Sequence, residues 1–424
     1  MRRLAILAAA CAAAASLAAV PARASAGAQF GIQDDAWLMD GAGSMSDRIA
    51  TLQRIGVKLV RFTLRWDQVA TSRPAAPRDP QDPAYEWGQY AEVLQALHAD
   101  RIAALVTIYG APAWANGGHG PNWLPASTAA GDFAYAAAKE FPWVHLWTAW
   151  NEPNTRVFSV PVSPSMYVTH VLNPVYAGLH AASRANRVAG GVTSPRQTPS
   201  GMSPAAFAAG MRAARARLDA YAQNPYPRAP VETPFDARCS NCSDWTMARL
   251  GAIRSAISRL FGPKPIWLTE YGYETSPPDR FLGVSLARQA AYIGEAGLRV
   301  WEEPGVTVLI QFLVRDQPNL GGWQSGLFTT AGTQKPSYDA FGLPLAEVSR
   351  HGTRIVLWGQ VRPGSGRRPY VLQRLSGRRW VTLGGTARTA SSGTFERTLA
   401  LPRGARVRIR SPLAGYTSPP LTIS

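Results

Sequence analysis

Eight short apolar runs, each followed by a longer stretch with helical spacing, set the strongest limit on how this chain can fold. The runs are Gln29 to Gln33, Lys58 to Thr63, Ile102 to Tyr109, Val144 to Trp150, Arg187 to Val192, Leu218 to Ala222, Pro265 to Glu270 and Val306 to Phe312. Between them, helices are expected over Ser46 to Ile55, Glu86 to Ala99, Ser127 to Glu140, Pro164 to Ala185, Pro204 to Ala216, Ser243 to Leu260 and Val284 to Val300, with a last one from Pro336 to Phe341. Strand and helix alternating in this way predict an α/β fold, a parallel sheet closed into a (β/α)8 TIM barrel. The alternative, an open doubly wound sheet, lacks its usual sign, since no glycine-rich nucleotide loop follows the first strand.

From about His351 the texture changes. Arg354 to Val361, Tyr370 to Leu375, Arg379 to Leu383, Gly393 to Leu399 and Arg406 to Ile409 are short, strand-like and separated by Gly, Pro and Ser turns. This spacing predicts a small all-β sandwich after the barrel. The expected domains are therefore a barrel over 27–348 and a sandwich over 349–424.

The net charge of +17 is unevenly spread: from Arg350 to Ser424, fourteen arginines stand against one acid, Glu396. Residues 27–349 are nearly neutral. A basic end domain could hold an anionic envelope polymer, and an arginine-rich but merely soluble surface is the plain alternative. No nucleic-acid motif is visible, so nucleic acid is not expected as a partner.

Met1-Arg2-Arg3, an apolar stretch from Leu4 to Val20, and the small-x-small pattern Ala24-Ser25-Ala26 read as an export signal over 1–26. The expectation is a secreted protein, held at the envelope at most, with no stable membrane insertion. Beyond that signal the cysteines are Cys239 and Cys242, which in an exported chain are expected to close a small disulfide loop. The histidines at 98, 119, 145, 170, 180 and 351 are scattered without ligand spacing, so neither metal nor cofactor is expected.

Two of the eight runs lead directly into a glutamate. Val144 to Ala149 leads into Trp150-Asn151-Glu152-Pro153-Asn154, and Ile266-Trp267-Leu268-Thr269 into Glu270-Tyr271-Gly272. In a barrel both carboxylates come to the carboxyl ends of strands four and seven, where the βα loops converge on one mouth. A pair of carboxylates there points to acid/base and nucleophilic work on a sugar bond. About 5 to 5.5 Å between them gives retention at the anomeric carbon, about 6.5 to 9.5 Å inversion.

These two motifs resemble the fourth- and seventh-strand motifs of the retaining (β/α)8 glycoside hydrolases of clan A, above all the cellulase-like proteins and the β-xylosidase and α-L-iduronidase relatives. Gly326-Leu327-Phe328 with Gly332-Thr333-Gln334-Lys335-Pro336 and Ser337-Tyr338-Asp339-Ala340-Phe341 is similar to the ending of such barrels. The resemblance spans roughly 29 to 345 and is specific at the two glutamates. It implies that Glu152 is the general acid/base and Glu270 the nucleophile. It further implies that Arg61 holds Glu270 ionised, that Asn151 bonds the sugar 2-hydroxyl, and that Tyr226 touches the nucleophile. Asn224 stands where many relatives carry histidine, and Gln311-Phe312 where a tryptophan is often seen, which leaves the substrate contacts unsettled. Among the aromatics near strand ends, Trp37, Trp66, Tyr109, Trp114, Trp123 and Trp323, the last strand-end pair Trp114 and Trp323 are the candidate sugar platforms.

The expected function is that of a secreted retaining O-glycosyl hydrolase cleaving a polysaccharide or oligosaccharide by double displacement. Two alternatives stay open here. One is a catalytically inactive carbohydrate-binding or cell-surface protein, and the other an envelope transglycosidase that uses the same residues with a sugar acceptor.

Overall fold

The computed structural model of the chain describes residues 27–239, 243–362, 366–412, 415 and 417–424. The segment read as an export signal and Cys242, half of the expected disulfide, lie outside the described residues.

Eight parallel strands close into a barrel in sequence order: β1 (Gln29–Gln33), β2 (Leu59–Arg65), β3 (Ala103–Tyr109), β4 (Leu146–Ala149), β5 (Arg187–Thr193), β6 (Ala220–Gln223), β7 (Ile266–Tyr271) and β8 (Val306–Phe312). Closure is complete because β1 pairs with β8 along the whole length of β1, from Gln29 beside Val308 to Gln33 beside Phe312. The period of two along a strand separates two environments. On β2, Val60, Phe62 and Leu64 are fully buried among the helices, while Leu59 joins Leu105, Ala189, Ala222, Trp267 and Ile310 inside the barrel. Above that apolar interior lies a polar layer, where the Arg61 guanidinium donates to Gln33 Oε1 at 2.6 Å and to Thr107 Oγ1 at 2.9 Å, and Thr148 donates to Thr107 at 2.7 Å. This layer is the floor of the barrel mouth.

The helices that return the chain are set by local signals. Ser44 and Asp47 form a reciprocal capping box at the start of Met45–Ile55, and Ser203 and Ser285 cap Pro204–Ala213 and Leu286–Glu302. The long helix expected from Pro164 to Ala185 is instead interrupted by a π-helical segment, Tyr167–Leu172, before Asn173–Ala182. Pro174 explains the break: it has no N–H for the residue four back, and its ring crowds that carbonyl, so the ladder changes register ahead of it. Among the described residues no helix is long and apolar enough to cross a membrane.

Eight further strands follow: β9 (Leu345–His351), β10 (Arg354–Gln360), β11 (Pro369–Ser376), β12 (Arg379–Thr382), β13 (Ala387–Arg388), β14 (Thr394–Ala400), β15 (Arg406–Arg410) and β16 (Leu421–Thr422). They form a three-stranded sheet ordered β14-β10-β9 and a five-stranded sheet in which β12-β11-β15-β16 run side by side and β13 pairs with β11. Ile355, Leu357, Tyr370, Leu372, Val407 and Ile409 fill the space between the sheets, which makes this region a sandwich.

The central strand of the three-stranded sheet, β10, is buried on both faces. Ile355 and Leu357 of β10 face the sandwich core, whereas Trp358, the residue after Leu357, is fully buried against Leu298 of the helix Leu286–Glu302 and Ala346 of β9. The approach there is close: a Cβ on Gly294 would lie 2.3 Å from the Leu345 carbonyl oxygen. β9 straddles the boundary expected at 348, and only its first two residues, Leu345 and Ala346, are buried, so it carries no run of alternating apolar residues in the sequence.

Candidate active site

β4 ends at Ala149, and the chain turns sharply into the mouth. Trp150 adopts φ 73° and Glu152 φ 39°, and across the gap Val192 of β5 sits at φ 49°. Left-handed backbone at non-glycine residues costs about 1–3 kcal/mol each and persists only where neighbours impose it. The neighbours are visible. Trp150 N–H extends the ladder to Ile108 O at 2.8 Å, its indole donates to Phe158 O at 2.7 Å, and Glu152 N–H donates to Val192 O at 3.0 Å. Asn154 is fully buried, donates to Met202 O at 3.0 Å and accepts from Ser194 N–H at 2.8 Å, so the loop is pinned to the one after β5.

Glu270, on β7, is held from two sides. Arg61 Nη1 donates to its Oε1 in a buried ion pair, and Tyr226 O–H donates to Oε2 at 3.0 Å. Arg61 also donates through Nη2 to Asn151 Oδ1 at 2.8 Å, which fixes the amide so that its N–H groups face away from the guanidinium. Asn224 makes a second bridge: its Nδ2 donates to Glu152 Oε1 at 3.0 Å, and its Oδ1 accepts from Thr269, the neighbour of Glu270, at 2.7 Å. Two side chains, Arg61 and Asn224, thus tie the segment of one glutamate to that of the other.

The two carboxylates open onto one cavity of about 800 Å³, with Arg61, Asn151, Tyr226 and Trp323 also on its wall. Burial, and after it the charge of Glu270, pushes Glu152 up to about 7. Burial and the two nearby carboxylates push the Tyr226 phenol well above its ordinary value, so it stays a donor. Trp323 stacks on Tyr226, ring centres 4.6 Å apart, and meets Phe312 edge-on at 5.6 Å.

Two expected substrate contacts lie elsewhere. Trp114 is not on the cavity wall: its indole N–H is spent on Ala70 O at 2.7 Å, and its ring packs edge-on against Trp66. Asn224 is fully buried and not on the cavity wall, where its amide positions Glu152. Of the other strand-end aromatics, Tyr109 lines the cavity, Trp66 is core, and Trp123 stacks on His119.

The cavity also contains residues the sequence reading passed over. Asp34 and Asp35 directly follow β1; Asp34 accepts from the N–H groups of Trp37 and Arg315, and Asp35 from Gln33 and Thr63 N–H. Burial raises both, Asp34 to about 7. Arg65 ends β2 and grips Asp67 at 2.7 and 2.8 Å, and Arg196 reaches the mouth from the loop after β5. A usable signal existed for the first three, because each is a charged residue at the carboxyl end of a strand, where barrels keep their chemistry. Among the described residues no group of three or more His, Cys, Asp or Glu is placed to hold a metal ion.

No protein-family model matches the sequence, and no curated protein matches it. Solved structures do. The chain is similar to a glycoside hydrolase family 39 enzyme from Xanthomonas axonopodis pv. citri, at 16% identity and a TM-score of 0.58 over 91% of this chain and 94% of that one. A family 39 glycoside hydrolase from the gut symbiont Bacteroides cellulosilyticus WH2 matches at 16% identity and a TM-score of 0.60, over 92% and 81%. A monomeric β-xylosidase from Caulobacter crescentus CB15 matches at 14% identity and 0.55, over 88% and 94%. At such identities the likeness establishes the fold, a (β/α)8 barrel.

Proposed function

We propose that this chain is an exported retaining glycoside hydrolase that cleaves an O-glycosidic bond of a polysaccharide or oligosaccharide, with Glu152 as acid/base and Glu270 as nucleophile. The observation that carries the reading is the unequal treatment of two carboxylates on one cavity. Burial and a neighbouring charge keep a proton on Glu152, while a buried guanidinium and a phenol donate to Glu270.

The roles follow from that difference. Glu152 gives its proton to the leaving oxygen as Glu270 attacks the anomeric carbon, breaking the glycosidic bond and forming a glycosyl ester. Esterification removes the charge of Glu270, one of the causes that raised Glu152. Glu152, which gave up its proton in the first step, then stays ionised more readily, and as a carboxylate it takes a proton from the incoming water. Asn151, its amide oriented by Arg61, donates to the hydroxyl beside the reacting carbon. Water attacks that carbon, Glu270 leaves as carboxylate, and the two inversions sum to retention.

The test begins with a screen of chromogenic glycosides, followed by Glu270→Ala on the best substrate. Turnover should fall about 10⁴-fold or more and return in part with azide as external nucleophile. In the wild type, kcat/KM should decline above about pH 7 as Glu152 loses its proton. Undiminished hydrolysis by Glu270→Ala, or an inverted first product by NMR, sinks the reading.

A further inference from the structure

We propose that the outer face of the five-stranded sheet binds an acidic polysaccharide through a row of arginines on β15. The layering of the molecule leaves this face free for it. The three-stranded sheet is covered on one side by the barrel and on the other by the sandwich core, and the five-stranded sheet turns Tyr370, Leu372, Val407 and Ile409 inward. Alternation then sends Arg406, Arg408 and Arg410 outward, with Arg406 and Arg410 exposed. Same-face neighbours on a strand lie about 7 Å apart, so three guanidinium groups stand in line.

The row is more than a diffuse excess of charge. Arg408 is opposite Gln373 in the ladder and donates to its Oε1 at 2.9 Å, and its guanidinium lies 4.1 Å above the Trp380 ring. A long side chain already held by a hydrogen bond and an indole loses little freedom on binding. Burial, and after it the charge of Arg410, pushes Arg408 below its ordinary value, so the two cations feel each other. Glu396, the one acid after Arg350, is on β14 of the other sheet, and no ion pair among the described residues includes Arg406, Arg408 or Arg410.

A flat sheet face with aligned, planar, five-donor cations complements an extended chain that presents carboxylates at intervals. Several weak contacts made by one polymer add through effective concentration, which makes a shallow face useful where a single sugar acid would not stay. The choice of polysaccharide over nucleic acid or lipid rests on the proposed activity of the attached barrel; the existence of a polyanion-binding face does not.

The full chain, Arg406→Gln/Arg408→Gln/Arg410→Gln, Trp380→Ala and a control with Arg212→Gln/Arg259→Gln/Arg288→Gln on exposed barrel positions are compared for binding to polygalacturonate, neutral galactan, duplex DNA and phosphatidylglycerol vesicles. Binding is read by affinity electrophoresis at low and high salt, separately from aryl-glycoside turnover, so failure here is distinguishable from failure of the catalytic assignment. Polygalacturonate should bind in a salt-sensitive way, about tenfold more weakly to the triple variant and about threefold more weakly to Trp380→Ala, with the control unchanged and turnover intact. No binding by wild type, an equal loss in the control, or an unchanged Trp380→Ala overturns the proposal. Tighter binding to DNA or to vesicles at matched charge overturns it in favour of those partners.

Discussion

The barrel and the sandwich handle charge in opposite ways. In the barrel, nearly neutral overall, the telling charges are buried and each is answered: Arg61 meets Glu270, and Lys335 meets Asp316 at 2.7 Å with both side chains almost wholly enclosed. In the sandwich the enclosed charged side chain is Arg362 at the junction, stacked on Phe30 and Phe341; the other enclosed polar groups, Gln360, Thr389, Thr394, Ser411 and Ser418, are uncharged, and most of the arginine excess points outward. A buried ion must find partners, and those partners fix its position, which is what a reaction needs. An exposed ion keeps its freedom and its availability, which suits a mobile ligand.

The comparison is broken most directly at Arg61. It donates to Gln33, Thr107, Asn151 and Glu270, so Arg61→Met strands an anion and several acceptors at once. The expected result is a loss of about 10²–10³ in kcat/KM together with about 3–5 kcal/mol of stability. Arg61→Lys separates the two losses, since it retains a charge for Glu270 but cannot reach both glutamate segments with one planar fork. Denaturant unfolding of Arg61→Lys should show a smaller stability loss than Arg61→Met, while its kcat remains low. Full activity in either variant would mean that the buried pair is structural only.

Lys335 sharpens the same contrast away from the chemistry. Its ammonium donates to Asp316, to Thr275 Oγ1 at 2.9 Å and to Gln324 O at 3.0 Å, tying the loop after β8 to the loop after β7. Burial pushes Asp316 up and Lys335 down, so desolvation outweighs their attraction and neither charge can be removed alone without stranding the other. Lys335→Met should cost about 3 kcal/mol, seen as a Tm lower by several degrees, with kcat and KM of the folded fraction unchanged. A change in KM without a change in Tm would place Lys335 in the site instead.

The same distinction decides what could be read from the sequence. The barrel strands stood out because their outward faces pack under helices and their inward faces fill the interior, so each is a compact apolar run. β4 is shorter than expected, Leu146–Ala149, because Trp150 leaves strand geometry to aim Glu152. Glu270 was legible as the last residue of such a run and Glu152 as a carboxylate two residues beyond another. Arg196 and Phe158 were not, because loop residues reach the mouth through folding and carry no periodic mark. Trp114 misled for a related reason: a strand-end aromatic and a core aromatic look alike until the partner of the indole N–H is known. In the sandwich, composition announced the arginine excess, but only the register between β11 and β15 puts Arg408 beside Gln373.

The mildest expected effect tests the sandwich side of the contrast. Arg408 is supported by Gln373 and Trp380 but repelled by Arg410, and no buried group depends on it for a hydrogen bond. Arg408→Gln removes one repulsion and one ring contact, so stability should change by no more than about 0.5 kcal/mol. The sign depends on salt. At low ionic strength the relieved repulsion dominates and the variant should be slightly the more stable, whereas in molar salt the repulsion is screened and the lost ring contact should leave it slightly the less stable. Paired urea titrations of wild type and variant at the two salt concentrations read that crossover. A loss above about 1 kcal/mol at both would mean that this outward arginine is as embedded in the fold as Arg61 or Lys335, and the division between a barrel of answered charges and a sandwich of available ones would not hold.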